Sequence, residues 1–152
     1  MNAMLRIHQI NSLFEHALKS WIGALLLLLL RLYVGWIFFH SGLIKISDWP
    51  ATLGLFQNEY HVPLLPPGLA AVVGAFGELT FPVFLFVGLL TRPAALGLFA
   101  VNLMAVISYP QLFEFECPAA IQQHFFWGSG ILVLAIFGAG MFSLDALIGR
   151  KR

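Results

Sequence analysis

Four apolar runs, each close to the length needed to cross a bilayer as a helix, constrain this chain more than any other feature. They cover residues 21–44, 69–90, 93–109 and 124–147. About 20 mostly apolar residues span the roughly 30 Å hydrocarbon core. Of the 152 residues, 60% are hydrophobic and only 10% are charged, which is more apolar surface than a soluble domain of this size can bury. We therefore predict an all-α integral membrane four-helix bundle.

The segments outside the four runs suggest two further helices. In residues 1–20, apolar side chains recur at helical spacing, which predicts an amphipathic helix in the membrane interface, with a disordered tail as the alternative. In the first long loop, Asp48 and Pro50 mark the start of a short amphipathic helix lying over the bundle. The predicted organisation is an interfacial segment at 1–20, a membrane domain at 21–148 and a basic tail at 149–152.

Charge predicts the orientation and excludes one class of partner. One side of the bundle carries six basic residues outside the spans and the other side only Lys45, so the termini are predicted to be cytoplasmic. The six are Arg6, Lys19, Arg92, Arg150, Lys151 and Arg152. The formal net charge is +1, which provides no positive field to hold nucleic acid.

Two ionisable residues fall inside the predicted spans. Counted from the start of each run, Arg31 and Glu78 both lie about 14–15 Å deep. Charges at this depth need partners, so we expect Arg31 and Glu78 to pair, with Asn102 at the same level bridging them. A buried ion pair of this kind is compatible with a purely structural role and with a functional site.

Polar residues of several spans predict a cavity that opens on the outer side. We expect Glu78, Arg31 and Asn102 at its floor and the helix near residues 50–60 over it. The candidate residues are Arg31, Lys45, Glu78, Asn102, Tyr109 and His124. The alternative is that the groups at the rim only anchor helix ends at the lipid headgroups.

A metal site has weaker support in the sequence. The single cysteine, Cys117, excludes an intramolecular disulfide and metal sites built on paired cysteines. His61, Cys117 and His124 fall in or next to the predicted outer loops and are the candidate ligands for a soft metal such as copper. Their spacing is irregular, and an inert thiol and an interfacial histidine are the alternatives.

Several of these positions together resemble the DoxX family of small bacterial membrane proteins. The resemblance rests on residues 31–45, on Gly77, Glu78 and Pro82, on residues 91–96 and on the ending at 138–147. It implies a four-span bundle in the bacterial inner membrane. Some members are subunits of a thiosulfate:quinone oxidoreductase, others associate with thiol and superoxide defence enzymes, and a further group accompanies the maturation of secreted copper-binding peptides.

Two functional hypotheses follow from this resemblance. The first is an accessory protein in metal or oxidative stress handling, which assists the maturation or export of a small metal-binding peptide. The second is a quinone-interacting membrane subunit of an oxidoreductase, with Arg31, Lys45 and Glu78 at the quinone head. The stretch around residues 60–67 is most similar to the group that accompanies copper-binding peptides, which favours the first hypothesis. Both require the lipid bilayer and a protein or peptide partner.

The predicted orientation can be tested with the single cysteine. A membrane-impermeant thiol reagent applied to intact spheroplasts should label Cys117, because the loop at 110–123 is predicted to lie outside. Tags at residues 1 and 152 should stay protected in the same cells. Labelling only after the membrane is opened would reverse the orientation.

Overall fold

A computed structural model describes residues 2–113 and 119–149, with side chains from residue 20 onward. The described residues form six α-helices and no strand. The helices are α1 (Asn2–Ser47), α2 (Trp49–Asn58), α3 (Pro67–Val87), α4 (Thr91–Ser108), α5 (Ala119–Phe137) and α6 (Leu144–Gly149), with a 3₁₀ turn at Pro110–Phe113. Four segments are long and apolar enough to cross a membrane: Ser20–Ser47 of α1 and the whole of α3, α4 and α5. The predicted membrane bundle is confirmed.

The four spanning helices form a closed ring around one core. Helix α1 packs against α3 and α5, and α4 packs against α3 and α5. The core contains Val34, Phe38, Leu85, Leu98 and Ile131, all of which are buried. Many other large apolar side chains face outward, including Trp36 and Phe126, as expected for helices surrounded by lipid. We refer to the two ends of this ring as the α2 end and the α6 end.

Two glycines allow α1 and α3 to approach closely. A Cβ atom at Gly35 would lie 2.6 Å from a ring carbon of Phe86, and one at Gly42 would lie 2.8 Å from Cγ of Leu79. Small residues at such crossings let helix backbones come together in a membrane, where packing replaces the hydrophobic effect between helices. This contact brings the side chains of α1 beside Glu78 of α3.

The N-terminal segment is helical, as predicted, but it is not separated from the first span. Helix α1 runs without a break from Asn2 to Ser47, so its backbone shows no boundary at residue 20. An interfacial location for residues 1–20 stays a prediction. Cys117 lies outside the described residues, as does the predicted basic tail from residue 150 on.

The short helix after the first span begins where the sequence predicts. Asp48 is its N-cap, and Oδ1 of Asp48 accepts a hydrogen bond from Ala51 N at 3.1 Å. Oγ1 of Thr52 donates to the carbonyl of Lys45 at 3.0 Å, which fastens α2 to the end of α1. Phe56 of α2 packs in a second apolar cluster with Ala70 and Ala71 of α3. Helix α2 therefore lies against α3 at this end of the bundle.

The fourth span runs from Ala119 to Phe137, so it begins about five residues and ends about ten residues before the predicted run at 124–147. Helix α5 ends at Phe137, and Gly138 and Gly140 follow with φ angles of 78° and 73°. A positive φ is inexpensive only for glycine, so these residues end the span. Oγ of Ser143 then accepts a hydrogen bond from Ala146 N at 3.1 Å, which caps a last helical turn.

At the opposite end of the ring, helix α6 caps the start of α4. Asp145 accepts two hydrogen bonds at the start of α4, from Leu90 N at 2.8 Å and Thr91 N at 3.0 Å. The backbone N–H of Asp145 donates to Gly88 O at 2.9 Å. Partial burial acts to raise the pKa of Asp145, but the N–H donors of Thr91 and Leu90 outweigh it, so the pKa lies below its usual value. This carboxylate supplies the side-chain cap that Leu90 cannot provide itself.

Removal of the Asp145 carboxylate should loosen this end of the bundle. We expect Asp145→Ala to lower the free energy of unfolding by about 1–2 kcal/mol, because it leaves two helix-start donors without a cap. Asp48→Ala, which removes a single capping bond, should cost less.

The effect should depend on pH. The pKa of Asp145 is lowered in the folded protein, so its stabilisation is present above the ordinary carboxyl pKa and is lost as the pH falls through the folded value. Unfolding in detergent at several pH values measures this. Equal destabilisation by Asp145→Ala at neutral pH and well below the folded pKa would contradict the capping role.

Candidate functional site

The predicted pair between Arg31 and Glu78 is wrong. Arg31 is fully buried, and its Nη2 donates to the carbonyl of Phe142 at 2.6 Å in the segment between α5 and α6. Its Nε and Nη1 have no hydrogen-bond partner within the described part of the chain. The guanidinium packs against Gly88, where any side chain would collide with it. Arg31 thus belongs to the α6 end of the bundle.

The error lies in the depth assigned to Arg31. The prediction counted from Trp21, but Trp21 makes an edge-to-face contact with Phe142, with ring centroids 5.4 Å apart, and Gly140 packs against Ala24. The first turns of the apolar run therefore pack against the segment that follows α5. Arg31 then lies level with Gly88, which is about 15 Å along α3 from Glu78.

Glu78 instead forms an ion pair with Lys45. Nζ of Lys45 lies 2.9 Å from Oε1 and 2.7 Å from Oε2 of Glu78. The same ammonium donates to Oγ of Ser41 at 2.9 Å, one helical turn earlier on α1. The side chains are 20% exposed for Lys45 and 9% for Glu78. Because the long lysine stem reaches inward from the end of α1, the charge on Glu78 is compensated inside the membrane region.

The ion pair lies on the wall of a cavity of about 390 Å³ between α2, α3 and α4. We call this space the Lys45–Glu78 cavity. Apart from the ion pair, its walls are largely apolar and aromatic. They include Phe56, Tyr60, Val62, Leu65, Val73, Phe76, Phe81, Val101 and Met104, with the hydroxyl-bearing Ser108 at the end of α4. Ligand sites in proteins commonly combine apolar walls with a few polar groups in this way.

The segment after α2 covers the cavity at the α2 end. The backbone N–H of His61 donates to Ser108 O at 2.7 Å, and Oη of Tyr109 donates to Oε2 of Glu59 at 3.3 Å. The ring of Tyr60 lies between those of Phe56 and Tyr109, with centroid distances of 4.8 and 5.1 Å. Burial, the neighbouring Tyr109 and the carboxylates of Glu78 and Glu59 raise the pKa of Tyr60. Its hydroxyl therefore stays protonated.

Asn102 and His124 form a separate polar contact. Nδ1 of His124 lies 2.9 Å from Oδ1 of Asn102, and Nδ2 of Asn102 donates to the carbonyl of His124 at 3.1 Å. These bonds join α4 to α5, so the expected bridge from Asn102 to Arg31 and Glu78 is wrong. Of the six predicted cavity residues, the structure places Lys45 and Glu78 on the cavity wall. Tyr109 contacts its cover, and Arg31, Asn102 and His124 lie elsewhere.

The candidate metal ligands are not assembled in the described residues. Nδ1 of His61 lies 3.1 Å from the carbonyl of Glu59, whereas His124 contacts Asn102. Cys117 lies outside the described residues. Among the residues that are described, no three His, Cys, Asp or Glu side chains are close enough together to hold a metal ion.

Sequence reasoning did not assign Tyr60, Ser41 or Ser108 to the site. Ser41 precedes Lys45 by four residues, and this helical spacing could have identified it as a partner of the ammonium. The helix predicted near residues 50–60 includes Tyr60, but the position of its side chain in the cavity depends on the path of the chain after α2. Ser108 carries no signal beyond its position at the end of a span.

The contribution of the Lys45–Glu78 ion pair to the stability of the fold can be measured. Glu78→Gln keeps the shape but leaves the Lys45 charge uncompensated, so we expect a loss of about 3–5 kcal/mol in the free energy of unfolding. The double variant Lys45→Met, Glu78→Gln should recover most of this loss. Unfolding in mixed micelles measures both. A double variant as unstable as Glu78→Gln alone would contradict a dominant role for the uncompensated charge.

Comparison with known proteins agrees with this architecture. The family model described as DoxX matches residues 26–111, which include both members of the ion pair. A protein of Haemophilus influenzae (strain ATCC 51907 / DSM 11121 / KW20 / Rd), described as an uncharacterized protein, is 34% identical over 127 residues, covering 80% of this chain and 82% of the relative. No solved structure matches the chain. The chain is a member of the DoxX family of membrane proteins.

Proposed function

We propose that this protein is a non-catalytic membrane subunit that binds a lipophilic molecule of the quinone class in the Lys45–Glu78 cavity, as a partner of an oxidoreductase. One observation carries the proposal. An ion pair lies on the wall of an otherwise largely apolar cavity, between helices long enough to cross the membrane. A charged pair in such a place is costly to maintain and marks a functional site more often than a merely structural one.

The cavity fits such a ligand in size and lining. Its volume of about 390 Å³ falls within the range of roughly 300–1,000 Å³ that is usual for small-molecule sites. The rings of Phe56, Tyr60 and Phe81 line it and suit a flat ring system. The long apolar part of the ligand would contact the apolar side chains of α3 and α4.

The polar groups suit a head that carries oxygen atoms. The Lys45 ammonium can donate to a carbonyl oxygen by exchanging one of its three bonds to Ser41 and Glu78, and the Glu78 carboxylate is an acceptor for a hydroxyl group. Both residues line the cavity, so a ligand in it can contact their side chains. The hydroxyl groups of Tyr60 and Ser108 belong to residues that line the same cavity and supply further hydrogen-bonding capacity.

The other hypothesis, an accessory role in metal or oxidative stress handling with a copper-binding peptide, stays a prediction. Its candidate ligands are His61, Cys117 and His124. The two histidines contact groups of this chain, and Cys117 is not described. No observation on the described residues favours this role over ligand binding in the cavity.

Ligand binding is tested on the full chain purified in mild detergent. Native mass spectrometry should detect a bound quinone, and titration with a decyl-tailed benzoquinone should give a saturable signal. We expect Glu78→Gln and the double variant Lys45→Met, Glu78→Gln to weaken binding by about tenfold or more, since each removes a polar contact to the head.

The matched control is Asn102→Ala, which removes buried hydrogen bonds away from the cavity. It should leave binding within about twofold of the unchanged protein. Absence of quinone binding in the folded wild-type protein would overturn the proposal. Copper or a peptide retained without quinone would favour the other hypothesis instead.

A further inference from the structure

The wall of the Lys45–Glu78 cavity between α3 and α4 has an opening toward the lipid. Val73 and Phe76 of α3 and Met104 of α4 line the cavity and are also exposed on the outside of the bundle. Their exposed fractions are 50%, 66% and 39%. Side chains that border both the cavity and the outer surface mark the edge of an opening. We call this the lateral opening.

Helix packing explains where the lateral opening ends. At the α6 end, α3 and α4 are joined by a short turn and pack tightly through Leu85 and Leu98. Further along, the ring of Phe81 lies so close to Gly97 that a Cβ atom there would be 2.5 Å from a ring carbon. Phe81 and Gly97 both line the cavity. This contact closes the gap between the helices and makes the cavity end near the middle of the bundle.

The route toward the α2 end is closed by several contacts. Phe56, Tyr60 and Leu65 cover the cavity there. The covering segment is held to α4 by the hydrogen bond from His61 N to Ser108 O, and α2 is held to α1 by the bond from Thr52 to the carbonyl of Lys45. The described residues that border the lateral opening, Val73, Phe76 and Met104, are apolar.

From these observations, and resting on the proposed function, we infer that the site takes the head of a long-chain lipid whose apolar chain leaves through the lateral opening into the bilayer. The cavity, at about 390 Å³, lies near the lower end of the range for small-molecule sites, so it suits a ring-sized head better than a head with its whole chain. A chain that leaves sideways stays in hydrocarbon, whereas one that leaves past Tyr60 would enter water. The ligand is therefore exchanged with the membrane.

The test compares two probes that share one head. One is a dimethoxy-methyl-benzoquinone without a chain, and the other carries a decyl chain on the same ring. Binding is measured on the full chain in lipid nanodiscs. The decyl probe should bind at least about tenfold more tightly than the chainless probe, beyond the difference in their partition into empty nanodiscs.

Neighbouring residues on α3 provide matched variants. Val72 and Val73 are exposed to 51% and 50%, but of these two only Val73 lines the cavity. Val73→Trp should weaken binding of the decyl probe about tenfold more than it weakens binding of the chainless probe, whereas Val72→Trp should change neither. On α4, Met104→Trp and its neighbour Leu103→Trp form a second pair with the same expectation.

The outcomes separate the two proposals. If neither probe binds the folded wild-type protein, the proposed function fails. If both probes bind but Val73→Trp and Met104→Trp leave the decyl probe unaffected, or weaken both probes equally, the lateral exit of the chain is wrong and the binding function stands. Thermal unfolding of each variant confirms that it is folded before binding is compared.

Discussion

Hydrocarbon provides no partners for charged groups, so every charge within the spans must be compensated by the protein itself. In this chain that requirement is met at two places. Lys45 reaches back along α1 to Glu78, and Arg31 is held by the carbonyl of Phe142 close to the Asp145 carboxylate. Each contact joins α1 to a different partner segment. The two charged contacts therefore fix the first helix at both ends of the ring.

The two ends of the bundle are built for different purposes. At the α6 end, Asp145 caps α4 while Gly88 and Gly140 allow backbones to pack closely around α1 and Arg31. These contacts hold the helices together at the α6 end. At the α2 end, α3 and α4 are separated by a cavity, and a loop rather than a helix pair covers it. The polar groups of Lys45 and Glu78 can therefore contact a ligand without weakening the contacts at the α6 end.

Sequence reasoning predicted the elements well and the contacts between them less well. The presence of four spans and the start of α2 at Asp48 followed from local patterns, because helix length, capping and chain breaks are local properties. The partner of Glu78 did not follow. Depth was counted from the first apolar residue, which assumed that the apolar run begins at the membrane surface, whereas its first turns pack against the segment after α5.

The sequence by itself determined that this chain is a four-helix membrane protein with ionisable residues inside it, because apolar run length and composition leave no other solvent for its surface. Only the tertiary structure decided which charges meet, since pairing depends on the relative height and rotation of helices that are far apart in sequence. The close α1–α3 contact at Gly42 and the length of the Lys45 side chain bring Lys45 to Glu78. Arg31 packs instead against the turn at Gly88. The cavity likewise exists only because a short turn holds α3 and α4 together at one end while the loop after α2 covers the space beside them at the other.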